Sequence, residues 1–324
     1  MAEASVRCGR AFAPAHVSGV FAPRLDARDP RARGSVGAGL VLEVGVTASA
    51  AWRPTGRVSV RVSADTTVPL RISETVARRL LGSRSGSLAV RLEHALPIGQ
   101  GFGSSAGGAL ATGLAVAEAV GVPPARAVQV AHLADLFGGG GLGGVAAILG
   151  GGLELRLEAG VPPFGHVVHL PLEGSVLVGT VGPPIRSPRL LGDPRWMRRF
   201  GAGERIVGEL AARPSWEGFW DAAERFTDTV RLCSSDLRAV LRGLRRRGAR
   251  AAQAMFGTSF FAAPPPGRAG EELLRWLEGR ALHPRELALS ERGAHTLPPP
   301  PASDGDPPGR SGARRPSPRR KPGP

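Results

Sequence analysis

From residue 11 to residue 94 the apolar positions recur mostly with the period of a strand. Ala11–Val20 is small and apolar but holds Pro14, His16, Ser18 and Gly19, and it reads as a strand ending in a tight loop. Leu40–Val46 is a second strand, Arg57–Pro69 alternates as a half-exposed strand does, and Leu88, Val90 and Leu92 mark another over Leu88–His94. Ser73–Leu81 is a short amphipathic helix between them. At residue 104 the period changes. Ser104–Val120 places Leu110, Leu114 and Ala117 on one helical face, Gly121 stops it, and Pro123 and Pro124 suit the start of the next helix, Ala125–Phe137. Gly151–Leu157 and Val176–Val181 return to strand spacing, and Val145–Leu149 before them is simply apolar. Trp196–Leu210, Trp216–Thr227, Thr229–Arg247 and Glu271–Arg280 have helical patterns, and His283–His295 adds a strand. Residues 1–9 read as a loose leader. From Pro298 onward the chain is rich in Pro, Gly, Ser and Arg with nothing to pack, which predicts a disordered basic tail.

Glycine-rich segments punctuate this pattern. Gly34–Gly39 reads as a turn feeding a strand, Gly138–Gly144 as a floppy loop, and Gln253–Ala263 as a small-residue turn running into a strand. The most informative lies between strand and helix, Leu96–Leu110. Gly99, Gly101 and Gly103 at every second position permit positive φ and close backbone approach, and the following helix offers unpaired N–H groups and the positive end of its dipole. That combination suits a phosphate. A serine-capped turn is the equal alternative on spacing alone. Asp135 sits near the C-terminal end of its helix, where the dipole disfavours an acid; a metal ion or a solvated position would each account for it.

Composition narrows the chemistry. The 324 residues carry 42 Lys and Arg against 27 Asp and Glu, a formal charge of +15. Lys321 is the only lysine, which excludes Schiff-base chemistry and a Walker-type lysine in the folded body. The dense basic spots, Arg242–Arg250 and Arg310–Lys321, are not interleaved with aromatics, so a nucleic-acid stacking platform is not expected. Cys8 and Cys233 form no disulfide framework, and a reducing cytoplasm is the default. The long uncharged stretches are broken by Gly, Ser or Pro, so no membrane span is expected.

Three glycine-rich segments in this order, the middle one reading P-x-x-x-G-x-G-S-S-A, resemble the GHMP kinase superfamily, ATP-dependent small-molecule kinases. AFAPAHVSGVF at 11–21, GSVGAG at 34–39, AHLAD at 131–135, GLGGVAAILGG at 141–151 and FGTSFFA at 256–262 are similar to its archaeal pantoate kinase branch. The resemblance spans roughly residues 10–297. It implies an α+β fold in two lobes: residues 10–160, like the second domain of ribosomal protein S5 and carrying the ATP loop, and residues 161–297, a second α+β lobe. It implies transfer of the ATP γ-phosphate to the 4-hydroxyl of pantoate, with Mg²⁺, on the way to coenzyme A. Another alcohol (homoserine, mevalonate, shikimate) or an impaired nucleotide-binding relative are the alternatives. A homodimer is common in the family.

Residue by residue, the resemblance places ATP on Pro97, Gly99, Gly101, Phe102, Gly103, Ser104, Ser105 and Ala106, with Gly257 and Thr258 closing over it. Mg²⁺ would be held by Ser105 and Asp135, where the family usually has Glu. His16, Ser18, Arg33 and Ser35 would lie at the pantoate. The family pattern has an aspartate at the position of Gly144, the expected base or orienting charge. Here a glycine leaves that position without a side chain, which leaves three readings: transfer without a base, a nearby acid such as Asp135 in its stead, or a weak or inactive relative that still binds nucleotide.

Overall fold

The computed structural model describes residues 5–185 and 187–298. The expected basic tail, save Pro298, lies outside the described residues. The chain opens with two long antiparallel strands, β1 (Arg7–Arg24) and β2 (Gly34–Arg53). Then come β3 (Ser59–Ala64), α1 (Arg71–Leu81), β4 (Ser87–His94), α2 (Ser104–Val120), α3 (Pro124–Phe137), the single turn α4 (Gly144–Ala147), β5 (Leu153–Glu158) and β6 (His166–Leu170). The remainder is β7 (Ser175–Thr180), α5 (Ser187–Leu191), α6 (Pro194–Phe200), α7 (Gly203–Ala212), α8 (Trp216–Val230), α9 (Ser235–Arg245), β8 (Arg250–Gln253), β9 (Ser259–Ala263), α10 (Arg268–Glu278), β10 (Arg285–Ala288) and β11 (His295–Thr296).

Two sheets organise these elements into an α+β architecture. The first runs β11-β1-β2-β4-β3, and β5 with β6 continue from the N-terminal half of β2. Its pairs are antiparallel except β3 with β4. The second is β10-β7-β9-β8, antiparallel throughout. α2 is apolar on nearly every face because it is enclosed on nearly every face: β1 and β2 lie on one side, α1 and α3 on the other. A bridge between Ser18 of β1 and Met255 joins the first sheet to the loop before β9. Among the described residues no helix is long and apolar enough to cross a membrane.

Several elements differ from the sequence expectation. The loose leader ends earlier, since β1 begins at Arg7. No tight loop follows Val20, because β1 absorbs Ser18–Val20 as a bulge and runs on to Arg24. Gly34–Gly39 is strand rather than turn. Its glycines lie across from side chains that need the space: a Cβ on Gly37 would collide with the Arg156 guanidinium, and one on Gly39 with the His16 ring. The helix expected over 196–210 breaks at Gly201, where Gly203 packs directly on the Phe21 carbonyl. The helix expected over 229–247 is the end of α8 and a new helix capped by Ser234, whose hydroxyl accepts from Leu237 N–H. Residues 145–149 contain a helical turn, and β6 had no distinct pattern.

Candidate active site

The glycine loop, the N-terminus of α2, the end of α3 and the strands β1, β2 and β5 line one open cleft. Gly99, Gly101 and Gly103 all have positive φ (79°, 81° and 68°), so the loop takes a path that other residues resist. Gly103 is the N-cap of α2, and no side chain caps the helix, so its first N–H groups remain available to an anion. Phe102, Ser104, Ser105 and Ala106 line the same wall.

Opposite them Asp135 is 3% exposed, and its Oδ1 accepts from Ser105 Oγ at 2.5 Å. Burial pushes its carboxyl up to about 6, against the lowering effect of the Ser105 bond. A carboxylate buried with one neutral partner lacks a counter-charge. A divalent cation sharing Ser105 and a phosphate would supply it, since Mg²⁺ is commonly held by one or two carboxylates with phosphate oxygens and waters completing its shell. Among the described residues no group of three or more His, Cys, Asp or Glu side chains could hold a metal by itself.

The other wall carries a buried charged cluster. Arg156 and Glu154 of β5 are 2% and 0% exposed, and His16 of β1 is 4% exposed. Glu154 Oε1 accepts from Arg156 Nη1 and lies 2.9 Å from His16 Nε2; Arg156 Nη2 donates to Ser18 Oγ at 3.2 Å. Burial would raise the Glu154 carboxyl, but the Arg156 guanidinium and the His16 bond outweigh it and hold it below the ordinary range. Burial pushes His16 down, against the effect of Glu154. Arg156 Nε is buried without a partner among the described residues, so the guanidinium keeps a donor to offer. Ser35 lines the cleft beside it.

The structure therefore gathers Gly99, Gly101, Phe102, Gly103, Ser104, Ser105, Ala106, Asp135, Gly144, His16, Ser18 and Ser35 around one cleft. Four candidate residues do not line it. Arg33 lies elsewhere, its Nε donating to Ala27 O at 2.7 Å. Pro97 receives the Ser104 hydroxyl on its carbonyl at 3.4 Å. Gly257 and Thr258 sit behind the glycine loop. Thr258 Oγ1 bonds Gln100 Oε1 at 3.2 Å and Pro183 O at 2.6 Å, Ser259 Oγ bonds Gln100 Oε1 at 3.0 Å, and Gln100 Nε2 donates to Gly182 O at 2.9 Å. Met255 and Phe256 of that segment do line the cleft. Sequence reasoning missed Glu154 and Arg156; their one signal was a pair of charges two apart in an apolar strand.

A glycine cradle at a helix N-terminus, a carboxylate beside it and a buried guanidinium across from it are groups that suit phosphate on one side and a second anion on the other. Comparison with known proteins agrees. Residues 69–152 match the family described as GHMP kinases N terminal domain. The pantoate kinase of Thermococcus kodakarensis is 34% identical over 72% of this chain and 80% of its own length. That of Methanospirillum hungatei is 27% identical over 82% and 89%. A solved structure described as a phosphotransferase related to the CoA biosynthesis pathway superposes with a TM-score of 0.78 at 28% identity, covering 90% of this chain and 98% of its own. The chain belongs to the GHMP kinases and, within them, to the pantoate kinase family.

Proposed function

We propose that this protein transfers the γ-phosphoryl group of ATP to the 4-hydroxyl of pantoate, a step toward coenzyme A. The observation that carries this reading is one cleft that faces a phosphate cradle on one wall and a buried arginine on the other. The cradle takes the ATP phosphates on backbone N–H groups of the glycine loop and α2. Ser105 and Asp135 hold Mg²⁺, which when bound offsets charge on the phosphates. Arg156, steadied by Glu154 and Ser18, receives the pantoate carboxylate through charge-assisted hydrogen bonds. Ser35 borders the same end of the cleft. Arg33 has no part in this arrangement.

The acceptor charge favours pantoate over an amino acid. Asp135 is the one carboxylate among the described residues lining the cleft, so a substrate ammonium would find no second acid there. The test is a coupled ADP-release assay with pantoate beside homoserine, mevalonate and shikimate. Pantoate is expected to turn over well above the others, and equal or better turnover of any other alcohol overturns the assignment.

A further inference from the structure

Phosphoryl transfer from ATP to an alcohol releases the hydroxyl proton, and this cleft has few places to put it. Three groups among its described lining residues ionise: Asp135, Arg156 and His16. Asp135 is tied to Ser105 on the phosphate side, and a guanidinium cannot accept a proton. Gly144 offers no side chain.

His16 has the placement the other two lack. It touches both halves of the cleft. A Cβ on Gly103, at the start of α2, would lie 3.2 Å from the His16 Cβ and from its backbone N and O, and His16 N–H donates to Phe102 O at 3.2 Å. Its ring shares Glu154 Oε1 with the Arg156 guanidinium. A hydroxy acid with its carboxylate on Arg156 and its hydroxyl at the phosphate cradle would therefore lie along His16. The Glu154 carboxylate can only accept, so Nε2 carries the ring proton and Nδ1 keeps its lone pair. No partner among the described residues occupies Nδ1.

We infer that His16 is the general base of the transfer, with Glu154 as its positioning residue. This rests on the kinase reading above. The substrate oxygen attacks the γ-phosphorus, a new O–P bond forms, and the bond from that phosphorus to the bridging oxygen breaks, its electron pair leaving on ADP. The hydroxyl proton passes to His16 Nδ1 and then to solvent as product departs. The groups facing His16 are Glu154 and Arg156 of β5 and His169 of β6. Burial keeps the imidazole neutral at neutral pH, the state a base requires.

The test is His16→Gln, whose amide nitrogen can still donate to Glu154 while the Nδ1 base is gone. With pantoate, kcat is expected to fall by about 10²–10⁴-fold while the Kd for MgATP and the KM for pantoate change by less than about threefold. The acid limb of the wild-type kcat/KM profile should disappear. A kcat within about threefold of wild type, or an unchanged acid limb, overturns the assignment. Nitrogen NMR of histidine-labelled wild-type protein reads the same point without turnover. Nδ1 is expected unprotonated at neutral pH, with its resonance shifting when pantoate joins a non-hydrolysable ATP analogue; a protonated Nδ1, or no shift, refutes the role. Wild-type inactivity toward pantoate would instead overturn the substrate assignment, leaving the tautomer and the shift on adding another alcohol to decide on His16.

Discussion

Ser105 Oγ donates to Asp135 Oδ1 at 2.5 Å, so the first turn of α2 and the last turn of α3 meet through one hydroxyl and one carboxylate. Burial lifts the carboxyl from 3.8 to about 6. The unfolded chain ionises more readily than the folded one, so the metal-free protein is penalised above pH 6 and the penalty shrinks as pH falls toward 4. Asp135→Asn should therefore stabilise the metal-free protein at pH 8 by on the order of 2–3 kcal/mol, with a diminishing advantage below pH 6. The same change should lower kcat by about 100-fold or more. Denaturant melts at several pH values, paired with the ADP assay, check both halves; a destabilised variant at pH 8 would contradict the first.

Gly103 has φ 68° and abuts His16. Gly103→Val should abolish MgATP binding in a fluorescent-nucleotide titration, because a β-branched residue resists that conformation and its Cβ presses on His16, which forces the loop off its path. Binding at wild-type affinity by a folded variant would remove the loop from the phosphate site.

The buried Arg156–Glu154 pair predicts an asymmetry. Arg156→Met alone leaves Glu154 buried and uncompensated and should cost about 3–5 kcal/mol in urea unfolding. Adding Glu154→Leu should return most of that stability without returning pantoate affinity. Full recovery of activity in the double variant would show that the arginine serves the fold and not the substrate.

Gly144 can be given an acid only with relief. Its added Cβ would lie 2.7 Å from the Ala106 Cβ, so Gly144→Asp should cost about 1–3 kcal/mol by overpacking. Combined with Ala106→Gly it should fold normally and raise turnover, most visibly in the His16→Gln background. No change in turnover would mean that an acid at this position does not reach the acceptor hydroxyl.

The two cysteines should respond differently to a thiol reagent. Cys8 is exposed, whereas Cys233 is buried, donates to Gln253 Oε1 at 3.1 Å and has its thiol pushed up to about 11, chiefly by burial. One thiol per chain should react at pH 8 in the native state and two after unfolding. Two fast thiols in the native protein would place Cys233 in a looser packing.

That the glycine loop and Asp135 meet at one cleft was legible because their signals are local. Gly99 to Ala106 and Asp135 stand in short segments whose turn, cap and helix-end signals are written in adjacent residues. The wall formed by Glu154 and Arg156 is non-local. Glu154 and Arg156 alternate with Leu153, Leu155 and Leu157, the usual signature of a strand with one wet face. They are buried because Gly37 and Gly39 on the neighbouring strand open space for them, which no window of contiguous residues reveals. The same glycines made β2 read as a turn. Arg33 was a candidate because a cation near a glycine-rich segment suits a carboxylate, yet its Nε donates to Ala27 O and it does not line the cleft, whereas Arg156 does.

Gln100 has a mechanical meaning. Its amide reaches Gly182, Thr258 and Ser259, so one residue of the phosphate loop is tied to three backbone or hydroxyl groups along β9 and the end of β7. A displacement of the second sheet is therefore carried to the loop. A hinge that drew the second sheet away from the glycine loop would have to break these hydrogen bonds as it opened.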